Sequence, residues 1–239
     1  MEQLYHSECT TSLQNLANNY SREDKGKQSC VLLSSGAFNP ICKIHIANLI
    51  QARRYLERDF NVLAGFLSPS HDDWVKHKTA NKDWINCTNR INLCELAIRD
   101  AKVEKWISVD KAEYNADYFI DFPQLCHSLF LYINRSRMVS GSKLIRVIYV
   151  CGFNLYDDCQ TSIQTLLSPE LNVAVMQGEE TVTQYSKQDY LWFFGMDYRQ
   201  YSEVTEFSQI RERLEQKKAC DKITYPSVID YIKTFCICI

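Results

Sequence analysis

Ser29-Cys30-Val31-Leu32-Leu33-Ser34-Ser35-Gly36-Ala37-Phe38-Asn39-Pro40-Ile41-Cys42-Lys43-Ile44-His45 is the stretch that decides the fold. Residues 29 to 35 make a short, mainly apolar run closed by Gly36, as expected of a strand covered on both faces in a parallel sheet. After Pro40, the apolar residues Ile46, Leu49, Ile50 and Leu56 recur at helical spacing, with Arg53, Arg54 and Glu57 on the other side. The stretch therefore reads as strand, turn and helix. Such a turn has chemical meaning, because glycine permits close backbone approach and a helix N-terminus presents N–H groups to an anion.

Working outward, residues 61 to 67 read as a second strand and residues 69 to 83 as a polar loop carrying Lys76, Lys78 and Lys82. A helix over 89 to 101, a strand over 106 to 109 and a helix over 122 to 133 follow. The apolar run 144 to 150, ending at Cys151-Gly152, is the strongest strand pattern in the chain, and residues 171 to 176 give one more. Alternating strands and helices predict an α/β fold: a Rossmann-like doubly wound parallel sheet with right-handed crossovers. Helices over 206 to 217 and 225 to 232 form a small C-terminal helical extension, about residues 200–239. The aromatic stretch 184 to 201 has no clean period. Residues 1–28 read as a lead-in, with a short amphipathic helix marked by Leu13, Leu16 and Ala17 and a solvated linker at 21 to 27. Residues 29–239 then form a single domain, with ligands expected at the carboxyl ends of its strands.

Composition narrows the partners. At 239 residues the chain can bury a core without disulfides, and 46% apolar with 23% charged content is ordinary for a globular protein. A net charge of -2 attracts neither nucleic acid nor an anionic membrane, so any phosphate-binding charge must be local. The eleven cysteines are scattered among apolar runs, which predicts reduced thiols and an intracellular setting, cytoplasmic or nuclear. No secretory h-region, membrane span or paired Cys-x-x-Cys motif is expected. Cys236 stands where a prenylation box would place its cysteine, but with poor flanking residues.

The Gly-x-Phe-Asn-Pro turn with His45 five residues after Pro40 resembles the signature of the nucleotidyltransferase superfamily, and within it the nicotinamide mononucleotide (NMN) and nicotinate mononucleotide adenylyltransferases. Gly65-Phe66-Leu67-Ser68-Pro69 with Asp72, Trp74 and Lys76, then Arg90, Glu95-Leu96-Ala97, Trp106, Val109-Asp110 and Cys151-Gly152-Phe153-Asn154, are similar to that family's motifs in order. Ser208-Gln209-Ile210-Arg211 looks like the second half of its phosphate loop, with Tyr225-Pro226 and Tyr231-Ile232 beyond.

The resemblance implies transfer of AMP from ATP to the mononucleotide, giving NAD and pyrophosphate. His45 and Arg211 are the implied catalytic residues. ATP would be held by Gly36, Ala37, Phe38, Lys43, His45, Gly152, Asn154, Ser208 and Arg211, and the mononucleotide by Ser35, Lys76 and Trp106. Mg²⁺ would arrive on the ATP phosphates, with no protein metal site, and self-association into homo-oligomers is left open. Against the family pattern stand Cys42 for a His or Thr, Asn154 for an aspartate, Glu206-Phe207 for two small residues and Gln177 for an arginine. These departures keep two alternatives open: a catalytically weakened nucleotide-binding or scaffold protein, and transfer of another nucleotide such as CMP.

Overall fold

The computed structural model describes residues 11–20, 26–80, 84–136, 143–178, 187–198, 209–216 and 218–236. Its strands are β1 (Gln28–Gly36), β2 (Phe60–Pro69), β3 (Ile107–Val109), β4 (Arg146–Gly152), β5 (Leu171–Gly178), β6 (Lys187–Gln188) and β7 (Leu191–Met196). They form one sheet in the order β3-β2-β1-β4-β5-β7-β6, parallel throughout except for the antiparallel edge pair β6 and β7. The order reverses between β1 and β4, so the crevice at their carboxyl ends is the place where this topology receives ligands.

The helices are α1 (Gln14–Tyr20), α2 (Lys43–Leu56), α3 (Asp72–Lys78), α4 (Cys87–Asp100), α5 (Phe122–Arg135), α6 (Phe153–Asp158), α7 (Gln160–Gln164), α8 (Gln209–Glu215) and α9 (Pro226–Tyr231). They cover both faces of the sheet. Cys30 and Leu32 of β1, with Ile148 and Val150 of β4 and Ala174 and Met176 of β5, share a core with α2, α4, α8 and α9. Val31, Leu33, Val147, Tyr149, Val173 and Val175 point the other way, into a core with α1, α5 and α7. This alternation between two buried faces explains the unbroken apolar runs of the central strands.

The lead-in helix α1 is part of the packed unit. Leu16 is fully buried. Asn15 and Asn19, one turn apart, donate their amides to the carbonyls of Glu104 (2.9 Å) and Leu63 (2.9 Å). The expected linker lies mostly outside the described residues. The predicted polar loop over 69 to 83 contains α3, whose signal is charge and not apolar period: Asp72 and Asp73 open it, and Lys76, His77 and Lys78 close it, matching the helix dipole. Within the unassigned aromatic stretch the structure shows β7, which extends the parallel sheet.

Trp106 departs from its expected role. It precedes β3, at the amino end of that strand and away from the ligand-binding end, and is 9% exposed. Its indole lies against Gly65 on one side, and the Arg53 guanidinium lies 4.7 Å from its centroid. It is a core residue, filling the space that Gly65 leaves open. A Cβ at Gly65 would stand 2.8 Å from the Trp106 ring and 3.2 Å from Ile107. Gly65→Ala is therefore expected to cost about 1–3 kcal/mol by overpacking, read as a lower midpoint in urea unfolding.

Candidate active site

The turn from Gly36 to His45 is built by local packing. Phe38 takes a left-handed backbone (φ 42°), sparse for a residue with a side chain, and is held there by burial of its ring at 3% exposure. That ring meets the His45 imidazole edge-on, with centroids 4.9 Å apart. Cys42 is the N-cap of α2 and His45 its third helical residue. The Cys42 N–H donates to His45 Nδ1 at 2.9 Å, a reciprocal cap of the kind usually made by Glu or Gln.

Two properties of His45 follow. Burial lowers its pKa to about 4, so the ring is neutral across the physiological range. With Nδ1 accepting, the single ring proton resides on Nε2, which makes the imidazole an uncharged hydrogen-bond donor.

A buried arginine fastens the neighbouring loops to this turn. Arg90 of α4 is completely enclosed. Its Nε donates to the Ile85 carbonyl (2.8 Å), Nη1 to the Ala37 carbonyl (3.0 Å), and Nη2 to the Ser70 carbonyl (2.6 Å) and Asp72 Oδ1 (2.8 Å). Ser70 N–H adds a bond to the Gly36 carbonyl (2.9 Å), and Ile85 N–H one to Asn39 Oδ1 (2.7 Å). Gly36, α3 with Lys76, and the segment entering α4 are thereby brought together. Lys76 Nζ lies 4.4 Å from the centroid of the Trp84 ring.

Ser35 Oγ and Tyr149 Oη share a hydrogen bond of 2.9 Å between β1 and β4 on the face covered by α5, where Tyr149 is buried and stacked on Phe122. Gly152 ends β4 at the switch-point crevice, and among the described residues a Cβ built on it would meet nothing within 4 Å. Asn154 is exposed in the first turn of α6. The Gly36 to His45 turn, Ser35, Gly152 and Asn154 thus gather at the switch point, with Lys76 tethered beside it.

Lys43 is directed elsewhere. Its Nζ donates to the Asp221 carbonyl (2.5 Å) and lies 5.6 Å from the Tyr225 ring centroid, while its backbone N–H donates to the Ile223 carbonyl (2.9 Å). Thr224 Oγ1 donates to the Ile41 carbonyl (2.7 Å). The segment from Asp221 to Thr224 is therefore a strut against the start of α2, and Lys43 serves as its anchor in place of the expected phosphate contact. Ser208, Glu206 and the side chain of Arg211 lie outside the described residues. Ile210 beside Arg211 is fully buried in the core shared with α2, and the Cys220 thiol contacts the Ile210 carbonyl at 3.8 Å, so α8 is anchored on this side.

Of the departures from the family pattern, Cys42 is buried with its thiol turned to the Pro40 carbonyl at 3.7 Å, and Gln177 is buried near the end of β5. Sequence reasoning missed Glu113, which follows β3 by four residues. Its carboxyl is 1% exposed, accepts the His71 N–H at 3.0 Å, and so ties the N-cap of α3 to the segment after β3. Burial raises its pKa to about 8. A carboxyl three residues beyond Asp110 was the available signal, but its burial is a tertiary property.

Between pH 4.5, the ordinary value, and about 8 the folded protein keeps a Glu113 proton that the unfolded chain releases. Stability contributed at this position is complete below that window and is lost as pH rises through it. Glu113→Gln removes the titration but keeps an acceptor for His71. Its stability relative to the unsubstituted protein is expected to rise across the window by an amount on the order of 1–3 kcal/mol, measured by urea unfolding at several pH values.

Comparison with known proteins follows the same lines. The cytidylyltransferase-like family model matches residues 33–218. Nicotinamide/nicotinic acid mononucleotide adenylyltransferase 2 of Xenopus tropicalis is 37% identical over 93 residues, which is 38% of this chain and 28% of that protein. The nicotinamide/nicotinic acid mononucleotide adenylyltransferase of Oryza sativa subsp. japonica is 31% identical over 115 residues, 46% of this chain and 43% of that one. The matched region thus spans less than half the length of these relatives. The solved structure of Plasmodium falciparum nicotinic acid mononucleotide adenylyltransferase complexed with NaAD superposes with a TM-score of 0.61 at 13% identity, covering 87% of this chain and 96% of that one, a likeness of fold. The sheet order, the glycine turn and a family match running from β1 through α8 agree, and the chain belongs to the cytidylyltransferase-like family.

Proposed function

We propose that the protein is a nicotinamide or nicotinate mononucleotide adenylyltransferase. The observation that carries the reading is His45: a neutral imidazole held by the Cys42 N–H, with its proton on Nε2, beside a glycine turn at the switch point. In the proposed reaction a mononucleotide phosphate oxygen attacks the α-phosphorus of ATP. The new P–O bond forms as the bond to the β-phosphate oxygen breaks, and pyrophosphate leaves. Such transfers need positioning and charge stabilisation more than covalent help. His45 Nε2–H would donate to the α-phosphate, Gly36 and Ala37 would let the triphosphate approach the backbone, and Lys76 would meet the mononucleotide phosphate. Ser208 and Arg211 would serve the β- and γ-phosphates.

Mg²⁺ would enter with ATP. Among the described residues, Asp72 is engaged by Arg90, Asp110 by Thr11 and Ser68, and the Glu113 carboxyl, which keeps its proton up to about pH 8, by the His71 N–H. The residues therefore fit a metal carried on the substrate's phosphates.

One observation favours a second reading, a nucleotide-binding protein with weakened turnover. The N–H of Cys42, the N–H of Lys43 and the Lys43 ammonium are all consumed within the protein, which reduces the donors that α2 offers to phosphate. Incubation with NMN or nicotinate mononucleotide, ATP and Mg²⁺ distinguishes the two: dinucleotide and pyrophosphate are expected, and nucleotide binding without product selects the second. CTP in place of ATP tests transfer of CMP. His45→Ala is expected to lower turnover by a factor on the order of 10² to 10³. Because His45 ionises only near pH 4, the native rate should show no decline through pH 6.5 that His45→Ala abolishes. Full activity in His45→Ala would remove the basis of the assignment.

A further inference from the structure

Lys76 stands on α3, and Trp84 on the segment entering α4. Both segments are fastened to the same turn. Ser70 and Asp72 hold α3 to it through Gly36 and Arg90, and Ile85, next to Trp84, bonds both Asn39 (2.7 Å) and Arg90 (2.8 Å). The Lys76 ammonium then lies 4.4 Å from the Trp84 ring centroid, with both residues half-buried.

The chemistry of that contact is informative. Among the described residues no carboxylate pairs with Lys76: Asp72 is taken by Arg90, and Asp73 faces His71 at 3.5 Å. A carboxylate in the place of Trp84 would neutralise the ammonium and compete with an incoming phosphate. An indole face attracts the cation through its quadrupole, leaves the charge intact and leaves N–H donors on the open side. It also confines a side chain whose rotamer freedom would otherwise oppose a defined contact.

We propose that Trp84 is a positioning residue for the mononucleotide site, an aromatic shelf that holds the Lys76 ammonium ready for a phosphomonoester. The proposal rests on the adenylyltransferase reading and extends it to a residue that makes no hydrogen bond to substrate. Its signature is a loss in mononucleotide affinity that passes through Lys76 alone.

The test measures calorimetric Kd for NMN, together with KM for NMN, KM for ATP and kcat. Trp84→Ala is expected to weaken NMN binding by about two- to fivefold and raise KM for NMN in proportion, with KM for ATP and kcat unchanged. Trp84→Phe, which keeps an aromatic face, should stay close to the native values. In a Lys76→Ala background, Trp84→Ala should cause no further loss, since the two act as one unit. An unaltered Kd for NMN in Trp84→Ala, or an equal loss when Lys76 is already absent, overturns the proposal. Native protein that binds NMN but forms no dinucleotide sinks the transferase reading and leaves the Kd comparison to decide the shelf. Native protein that binds neither NMN nor nicotinate mononucleotide overturns both.

Discussion

The candidate site depends on one buried charge. Arg90 is fully enclosed, and moving a guanidinium out of water costs several kcal/mol unless its donors are met. Here they are met by three carbonyls and a carboxylate on different segments: Ile85, Ala37, Ser70 and Asp72. Those carbonyls belong to irregular backbone that neither helix nor sheet satisfies. The arginine therefore supplies hydrogen bonds that the loops lack, and the loops supply the solvation that the arginine has lost. Through these four bonds the turn after β1, the start of α3 and the approach to α4 are held in one geometry.

This mutual dependence explains why some of the molecule was legible in the sequence and some was not. The strand, turn and helix from Ser29 to Leu56 could be read because each face of β1 is apolar and α2 has a single buried stripe of Ile46, Leu49, Ala52 and Leu56. The same holds for β4 and β5, whose alternate residues fill two cores. Helix α3 escaped because it buries only Val75 fully and announces itself through end charges. Trp106 was misread for a different reason. A tryptophan near a strand is apolar surface in search of a partner, and whether that partner is a ligand or a glycine depends on Gly65, which is 41 positions earlier in the chain and adjacent only in the sheet.

Lys43 shows the same limit at the site itself. A lysine two residues before His45 in a phosphate-type turn suggests an anion ligand. The Asp221 carbonyl, 178 residues later, takes its ammonium instead. With Ile223 and Thr224 bonded to the same turn, the C-terminal segment does internally what an exposed helix start leaves to solvent or ligand. The C-terminal extension is thus a support for the glycine turn, bonded to Ile41 and Lys43 where the Arg90 side holds Ala37 and Asn39.

Within the turn so held, the His45 imidazole carries no charge. A cationic side chain in the place of His45 would have to be desolvated beside the Phe38 ring. A neutral imidazole avoids that cost and, with Nδ1 accepting from the Cys42 N–H, carries its proton on Nε2. The buried Cys42 thiol, turned toward Pro40, adds no comparable donor. Orientation of the imidazole then matters more than its basicity. That orientation is set by the Cys42 N–H and the Phe38 edge, both parts of the turn that Arg90 and the C-terminal strut hold in place.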